Sequence, residues 1–63
     1  MQRRQAEELL SHTVYFKLPK LGLHILCFVE HWRIVRGQYQ FQLNPKSGKG
    51  MVWAARSSFY VTD

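Results

Sequence analysis

The chain has 63 residues, of which 46% are hydrophobic and 14% aromatic. This content can build a packed core and argues against intrinsic disorder, and a chain of this length is expected to form one small domain at most. Nine Lys and Arg against four Asp and Glu give a formal charge of +5. Such an excess favours a polyanion or an acidic protein surface as the partner.

A short helix is predicted for residues 2–11. They are good helix formers without glycine or proline, and Ala6, Leu9 and Leu10 form a narrow apolar edge. A helix of this length is marginal in isolation, so we expect it to dock on the rest of the fold or on another molecule.

The first two strands are predicted at residues 13–18 and 23–35. The first alternates Val14, Phe16 and Leu18 with polar or aromatic neighbours, and a turn at residues 19–22 follows it. The apolar spacing of residues 23–35 also fits a helical face, but the β-branched residues and the missing N-cap favour a strand. Its length predicts a bend near Glu30 and His31.

A second hairpin is predicted around Arg36 and Gly37. Beyond it, residues 38–43 alternate strictly, with three glutamines on one side and Tyr39, Phe41 and Leu43 on the other. Residues 44–50 are turn formers and predict a loop. A fourth strand at residues 51–55, a turn at Ser57 and Ser58, and a fifth strand at residues 59–62 complete the chain.

The C-terminal segment carries a resemblance to a known architecture. Residues 50–61 give a glycine, an apolar strand, a turn near the two serines and an aromatic-valine strand. This order resembles the closing segment of small SH3-like barrels. The resemblance implies a mostly β fold, a small five-stranded SH3-like barrel over residues 13–62 with a short helix at 2–11, and it implies architecture alone.

Metal binding and catalysis are not expected. His24, Cys27 and His31 are possible zinc ligands, and on a helix the three would share one face. On the favoured strand, however, His24 points away from Cys27 and His31, and those two lie about 13 Å apart. A nucleophile would need a base and an orienting acid beside it, and on a strand Glu30 faces away from Cys27. The loop at 44–50 lacks the leading glycine of a phosphate loop. We therefore expect no enzyme activity, no metal and no cofactor.

The basic residues are the strongest functional signal. Five of them bracket the second hairpin, the polar loop and the last turn, and exposed tryptophan or tyrosine between them would give stacking platforms. Cations with aromatic rings are the combination that binds nucleic acid. The candidate contacts, with DNA or RNA as the expected partner, are Arg33, Arg36, Lys46, Lys49, Arg56, Trp32 and Tyr39, with Trp53 as a further stacking candidate.

A protein-interaction module is the competing interpretation. So small a chain could complete its core by homodimerising or by docking on a larger acidic protein as a regulatory or inhibitory subunit. An exposed edge at Leu9 and Leu10, or an exposed face containing Tyr15 and Trp53, would favour this role.

The expected location is the cytoplasm. Cys27 is the only cysteine and lies in an apolar stretch, which predicts a buried, reduced thiol. The first residues do not resemble a signal peptide, and charged residues and histidines interrupt the longest apolar run, so we expect no membrane span.

Overall fold

The structure is a computed structural model that describes residues 1–48 and 50–62. It contains, in chain order, α1 (Arg3–Glu8), β1 (Thr13–Leu18), β2 (Leu23–Val35), β3 (Gln38–Pro45), β4 (Val52–Ala55), the 3-10 helix η1 (Arg56–Ser58) and β5 (Phe59–Val61). The five strands form one antiparallel sheet in the order β4-β3-β2-β1-β5. The prediction of a mostly β fold with five strands and a short N-terminal helix is confirmed.

The sheet is curved but does not close. β4 and β5 are its two edges, so the predicted barrel is not confirmed. The curvature is visible in the core, where the rings of Phe41 on β3 and Phe59 on β5 meet edge to face with centroids 5.5 Å apart. Because β2 and β1 separate these two strands in the sheet, only a curled sheet can bring the two rings together.

Helix α1 is shorter than predicted. It ends at Glu8, and soon afterwards Ser11 adopts a φ of 68°, a left-handed conformation that a helix cannot continue through. Ala6 is fully buried, and Leu9 and Leu10 pack against the core. The apolar edge of the helix therefore packs against the sheet, and this packing stabilises a helix that is too short to be stable alone.

A two-residue turn joins β2 to β3. Val35 pairs with Gln38, and the two residues between them, Arg36 and Gly37, have φ angles of 52° and 75°. Two consecutive positive φ angles are the signature of a type I′ turn, whose twist matches that of the flanking strands. The hairpin predicted at this break is confirmed.

A β-bulge bends β2 where the sequence predicts a bend. Val29 is opposite Leu43 and His31 is opposite Gln42, so Glu30 has no partner on β3. One extra residue in a strand turns every following side chain to the opposite face of the sheet. Odd-numbered residues of β2 therefore face the core before Glu30 and face away from it afterwards.

The core lies on the concave side of the sheet, which we call the inner face. Its buried residues are Ala6, Val14, Cys27, Val29, Phe41, Leu43, Ala54 and Phe59, and its partly buried ones include Phe16, Ile25, Trp32, Tyr39, Val52 and Val61. No polar or charged residue among those the structure describes is buried. The fold is therefore held chiefly by apolar burial and the backbone hydrogen bonds of the sheet.

Truncating one core leucine should remove most of the stability. Leu43 is fully buried, so Leu43→Ala should lower the free energy of unfolding by about 2–5 kcal/mol through lost burial and a cavity. A domain of this size has roughly 3–9 kcal/mol in total. Leu23 is 51% exposed, and Leu23→Ala is the matched control. Urea denaturation followed by circular dichroism measures both; equal losses would contradict the placement of the core.

Relieving the strain at the hairpin tip should stabilise the protein. Arg36 holds a left-handed conformation that asparagine adopts more readily, so Arg36→Asn should raise the free energy of unfolding by on the order of 0.5–1 kcal/mol. Gly37→Ala should lower it by about 1 kcal/mol, through backbone strain alone, because no atom lies within 4 Å of the added Cβ. Thermal melts measure whether each substitution raises or lowers the stability. Destabilisation by Arg36→Asn would refute the turn assignment.

Candidate functional site

Alternation along the strands turns a second set of side chains away from the core. We call this convex surface the outer face; from the strand register it consists of Thr13, Tyr15, Lys17, His24, Leu26, Phe28, His31, Arg33, Val35, Gln38, Gln40, Gln42, Asn44, Trp53, Ala55 and Tyr60. Four aromatic rings, Lys17, Arg33 and two histidines lie on it, and the exposed bulge residue Glu30, which follows the inward-facing Val29, is the acidic residue of the described strands that borders it. It is the candidate site.

Arg33, Gln40 and Trp53 form one unit across three strands. The guanidinium carbon of Arg33 lies 4.0 Å from the centroid of the Trp53 ring, a cation–π contact. Arg33 Nε also donates a hydrogen bond of 2.8 Å to Gln40 Oε1. These two contacts orient the guanidinium on an exposed part of the sheet, where its remaining N–H groups can donate to an anion.

Tyr15, His24 and Tyr60 form a second cluster on the β1, β2 and β5 side of the outer face. The rings of Tyr15 and Tyr60 have centroids 5.6 Å apart, and His24 Nδ1 lies 3.0 Å from the Tyr60 hydroxyl. His24 also meets the Tyr60 ring edge to face at 5.6 Å. Tyr60 is nevertheless 41% exposed, so the cluster exposes to solvent an aromatic ring that is oriented by its contacts with Tyr15 and His24.

Phe28 lies between these two clusters and is approached by a lysine. Lys46 Nζ lies 6.0 Å from the Phe28 ring centroid, and the Lys46 backbone N–H donates a 3.0 Å hydrogen bond to the Leu26 carbonyl. This bond anchors the start of the polar loop to β2 and keeps the lysine beside the outer face.

Among the described residues, Glu30 is the acidic group that borders this surface. Glu7 and Glu8 belong to helix α1, Glu30 is the exposed bulge residue, and the remaining acid, Asp63, lies outside the described residues. Arg33, Lys17 and Lys46 therefore give the outer face a positive potential, which salt would screen because these groups are near solvent.

Four of the predicted contacts are basic residues of the hairpin and loop. Arg33 belongs to the outer face, and Lys46 lies beside it. Arg36 is exposed at the tip of the hairpin. Lys49 lies outside the described residues. The structure thus brings Arg33 and Lys46 to one surface.

Trp32 and Tyr39, the predicted stacking residues, lie on the inner face. Trp32 is opposite the buried Phe41, its ring is 5.6 Å from that of Tyr39, and both pack against the core. The sheet separates them from Arg33. Trp53, not Trp32, is the tryptophan that shares a face with the predicted cations.

Arg56 is engaged within the fold. Its Nη1 donates a 2.8 Å hydrogen bond to the Phe59 carbonyl, and its guanidinium carbon lies 4.9 Å from the Phe59 ring centroid. Arg56 and Tyr39 both line a shallow cleft of about 300 Å³ at the hairpin end. Tyr39 and Arg56, two residues predicted to contact nucleic acid, therefore lie together at this cleft and away from Arg33 and Lys46.

Sequence reasoning did not include Phe28 and Tyr60. Each is the strand neighbour of a buried residue, Phe28 of Cys27 and Tyr60 of Phe59, so alternation alone places it on the outer face. The sequence signal for these two residues is their alternation with core residues. Using that signal requires knowing which positions are buried.

The three possible metal ligands are distributed differently from the prediction. Cys27 is buried on the inner face, while His24 and His31 pair with Lys17 and Gln42 on the outer face. The expectation that Cys27 and His31 share a face is wrong, because the bulge reverses the phase after Glu30. Within residues 1–48 and 50–62, no group of three or more His, Cys, Asp or Glu residues is placed to hold a metal ion.

Comparison with known proteins adds no relative. Neither a protein-family model, nor a curated protein, nor a solved structure matches the chain. No helix in the described part of the chain has the length and apolar content needed to cross a bilayer. The outer face is therefore the feature from which a function can be inferred.

The buried thiol should make stability fall at alkaline pH. Burial raises the pKa of Cys27 above its ordinary value, so the folded state keeps a proton that the unfolded state loses above about pH 8.5. Stability is therefore expected to fall as pH rises above that value. Because Cys27→Val removes this titration, urea unfolding between about pH 8 and pH 10 should show a smaller decline than in the natural protein. Equal declines would mean that the thiol does not contribute.

Proposed function

We propose that this protein binds nucleic acid, DNA or RNA, through the outer face and acts by binding, not by catalysis. The supporting observation is the unit formed by Arg33 and Trp53 on the outer face, a cation held 4.0 Å above an aromatic ring. Phosphate groups need oriented cations and bases need flat apolar surfaces, and this face offers both, with the guanidinium covering one face of the Trp53 ring.

The proposed roles follow from the contacts. Arg33 neutralises a phosphate with the N–H groups that Gln40 does not occupy, and Lys46 supplies a second charge beside Phe28. Trp53 and Tyr60 stack on bases or sugars. Arg36 extends the charge at the hairpin tip, and Lys49 belongs to the same polar loop as Lys46 in the sequence.

We also propose that the sheet is a partly open form of the SH3-like barrel. The strand order β4-β3-β2-β1-β5, the bulge in β2 and the 3-10 helix before β5 support this relation. The contact between Phe41 and Phe59 across the inner face supports it as well. This architecture leaves the convex side of the sheet free to bind a ligand.

A protein-interaction role is the second candidate. Several large apolar side chains are exposed, among them Leu21 and Leu23 at the turn between β1 and β2, Leu26 and Tyr60 on the outer face, and Ile34 and Val35 beside the hairpin tip. They would suit a homodimer or a docking site on a larger acidic protein. Of the two features expected to favour this role, a face containing both Tyr15 and Trp53 is present as the outer face, whereas Leu9 and Leu10 are packed against the core. Sedimentation equilibrium distinguishes a dimer from a monomer directly.

Removing the outer-face cations should weaken binding and flatten its salt dependence. Arg33→Gln combined with Lys46→Gln should reduce the slope of log affinity against log salt by about 0.7 to 0.9 per charge. Fluorescence anisotropy with labelled DNA and RNA oligonucleotides, titrated at several salt concentrations, measures the slope.

The matched control removes the same net charge elsewhere. Arg3 and Arg4 are exposed on helix α1, and Arg3→Gln combined with Arg4→Gln should leave most of the affinity intact. If both double variants lose the same affinity, the binding depends on total charge and the outer face is not the site. If the natural protein binds no nucleic acid at low salt, the proposed function fails.

A further inference from the structure

Four aromatic rings of the outer face follow a diagonal across the sheet. Trp53 lies on the edge strand β4, Phe28 on β2, Tyr15 on β1 and Tyr60 on the other edge strand, β5. Tyr15 pairs with Leu26, which lies two residues before Phe28 on the same face, so Tyr15 and Phe28 are diagonal neighbours. Tyr15 and Tyr60 are in ring contact at 5.6 Å.

Strand β3 fills the interval between Trp53 and Phe28 with amides. Gln42 is opposite Trp53, and Asn44 is opposite Phe28. Trp53 and Phe28 are therefore two strand spacings, about 10 Å, apart across the sheet and two residues, about 7 Å, apart along it, which makes about 12 Å between their Cα positions. Side-chain amides both donate and accept hydrogen bonds, so this interval can engage the polar edge of a base between two stacking platforms.

Cations flank the diagonal on both sides. Arg33 pairs with Gln40, which lies two residues along β3 from Gln42, the partner of Trp53. Lys17 pairs with His24, which lies two residues along β2 from Leu26, the partner of Tyr15. Lys46 approaches Phe28 near the middle. A strand crossing the rings would therefore have Arg33 on one side and Lys17 on the other, with Lys46 beside Phe28, and it would also pass the exposed carboxylate of Glu30.

We infer that the ligand of the outer face is a single-stranded polynucleotide that crosses the sheet along this diagonal; the inference rests on the proposed function. Stacking requires unpaired bases, since the base faces of a duplex are covered by their neighbours. Phosphates and bases are common to RNA and DNA, so the chemistry recognised is that of a single strand of either kind.

The convexity of the outer face favours the same choice. The sheet curls around its core, so that Phe41 and Phe59 touch inside it, and the whole molecule measures 29 × 22 × 20 Å. Duplex DNA has a persistence length of about 50 nm and touches so small a convex body only along a tangent. A flexible single strand follows the curvature and reaches rings from one edge of the sheet to the other.

The test compares single and double strands on the natural protein. Anisotropy titrations use labelled oligonucleotides of about 12 nucleotides, thymidine and uridine homopolymers, and a duplex of mixed sequence with each of its separated strands. Single strands are expected to bind with micromolar or tighter affinity and the duplex about tenfold or more weakly. Trp53→Ala should weaken single-strand binding about 5- to 100-fold, whereas Trp53→Phe should retain most of it.

The two tryptophans supply an internal control. Trp32 lies on the inner face and Trp53 on the outer face, so a Trp32→Phe protein reports only on Trp53 and a Trp53→Phe protein only on Trp32. Single strands should quench the fluorescence of Trp53 and leave that of Trp32 nearly unchanged. Circular dichroism verifies that each variant is folded.

The outcomes separate this inference from the proposed function. Duplex binding equal to or tighter than single-strand binding would overturn the single-strand inference and leave nucleic-acid binding standing. Quenching of Trp32 in place of Trp53 would overturn the proposed path. Absence of binding to every oligonucleotide at low salt would overturn both proposals.

Discussion

The bulge at Glu30 is the constraint on which the rest of the structure depends. Thirteen residues of β2 must serve one core, yet Cys27 and Val29 are odd-numbered while Trp32 is even-numbered. An uninterrupted strand would send one of these groups to solvent and turn Arg33 toward the core. One unpaired residue resolves the conflict, because it keeps all three apolar side chains inside and places Arg33 on the convex side.

The two faces of the sheet consequently differ in the interactions that order their side chains. The inner face is stabilised by burial, with helix α1 and the rings of Phe41 and Phe59 completing a small apolar core. The outer face is ordered by weaker contacts near solvent, such as the stacking of Arg33 on Trp53, which contribute on the order of 1 kcal/mol or less. Breaking these contacts therefore requires little free energy. This suits a surface whose side chains exchange contacts with one another for contacts with a ligand.

Much of the fold could be predicted from sequence because its signals are local. Alternation, turn residues and β-branched content define the strands, and even the position of the bend in β2 is visible. The phase change at that bend is not, because it depends on the pairing of Val29 with Leu43 and of His31 with Gln42, which no local pattern specifies. For the same reason the sequence does not distinguish the stacking candidates Trp32 and Trp53, which the sheet places on opposite faces.

The open edges of the sheet bear on how the protein behaves at high concentration. An uncapped edge presents free backbone donors and acceptors, the template on which chains join into larger aggregates. Here the two edge strands have only four and three residues, and Arg56 follows directly on β4. Short edges with a cation at the border offer little length for intermolecular pairing, so the molecule can leave its sheet unclosed without inviting its own copies to extend it.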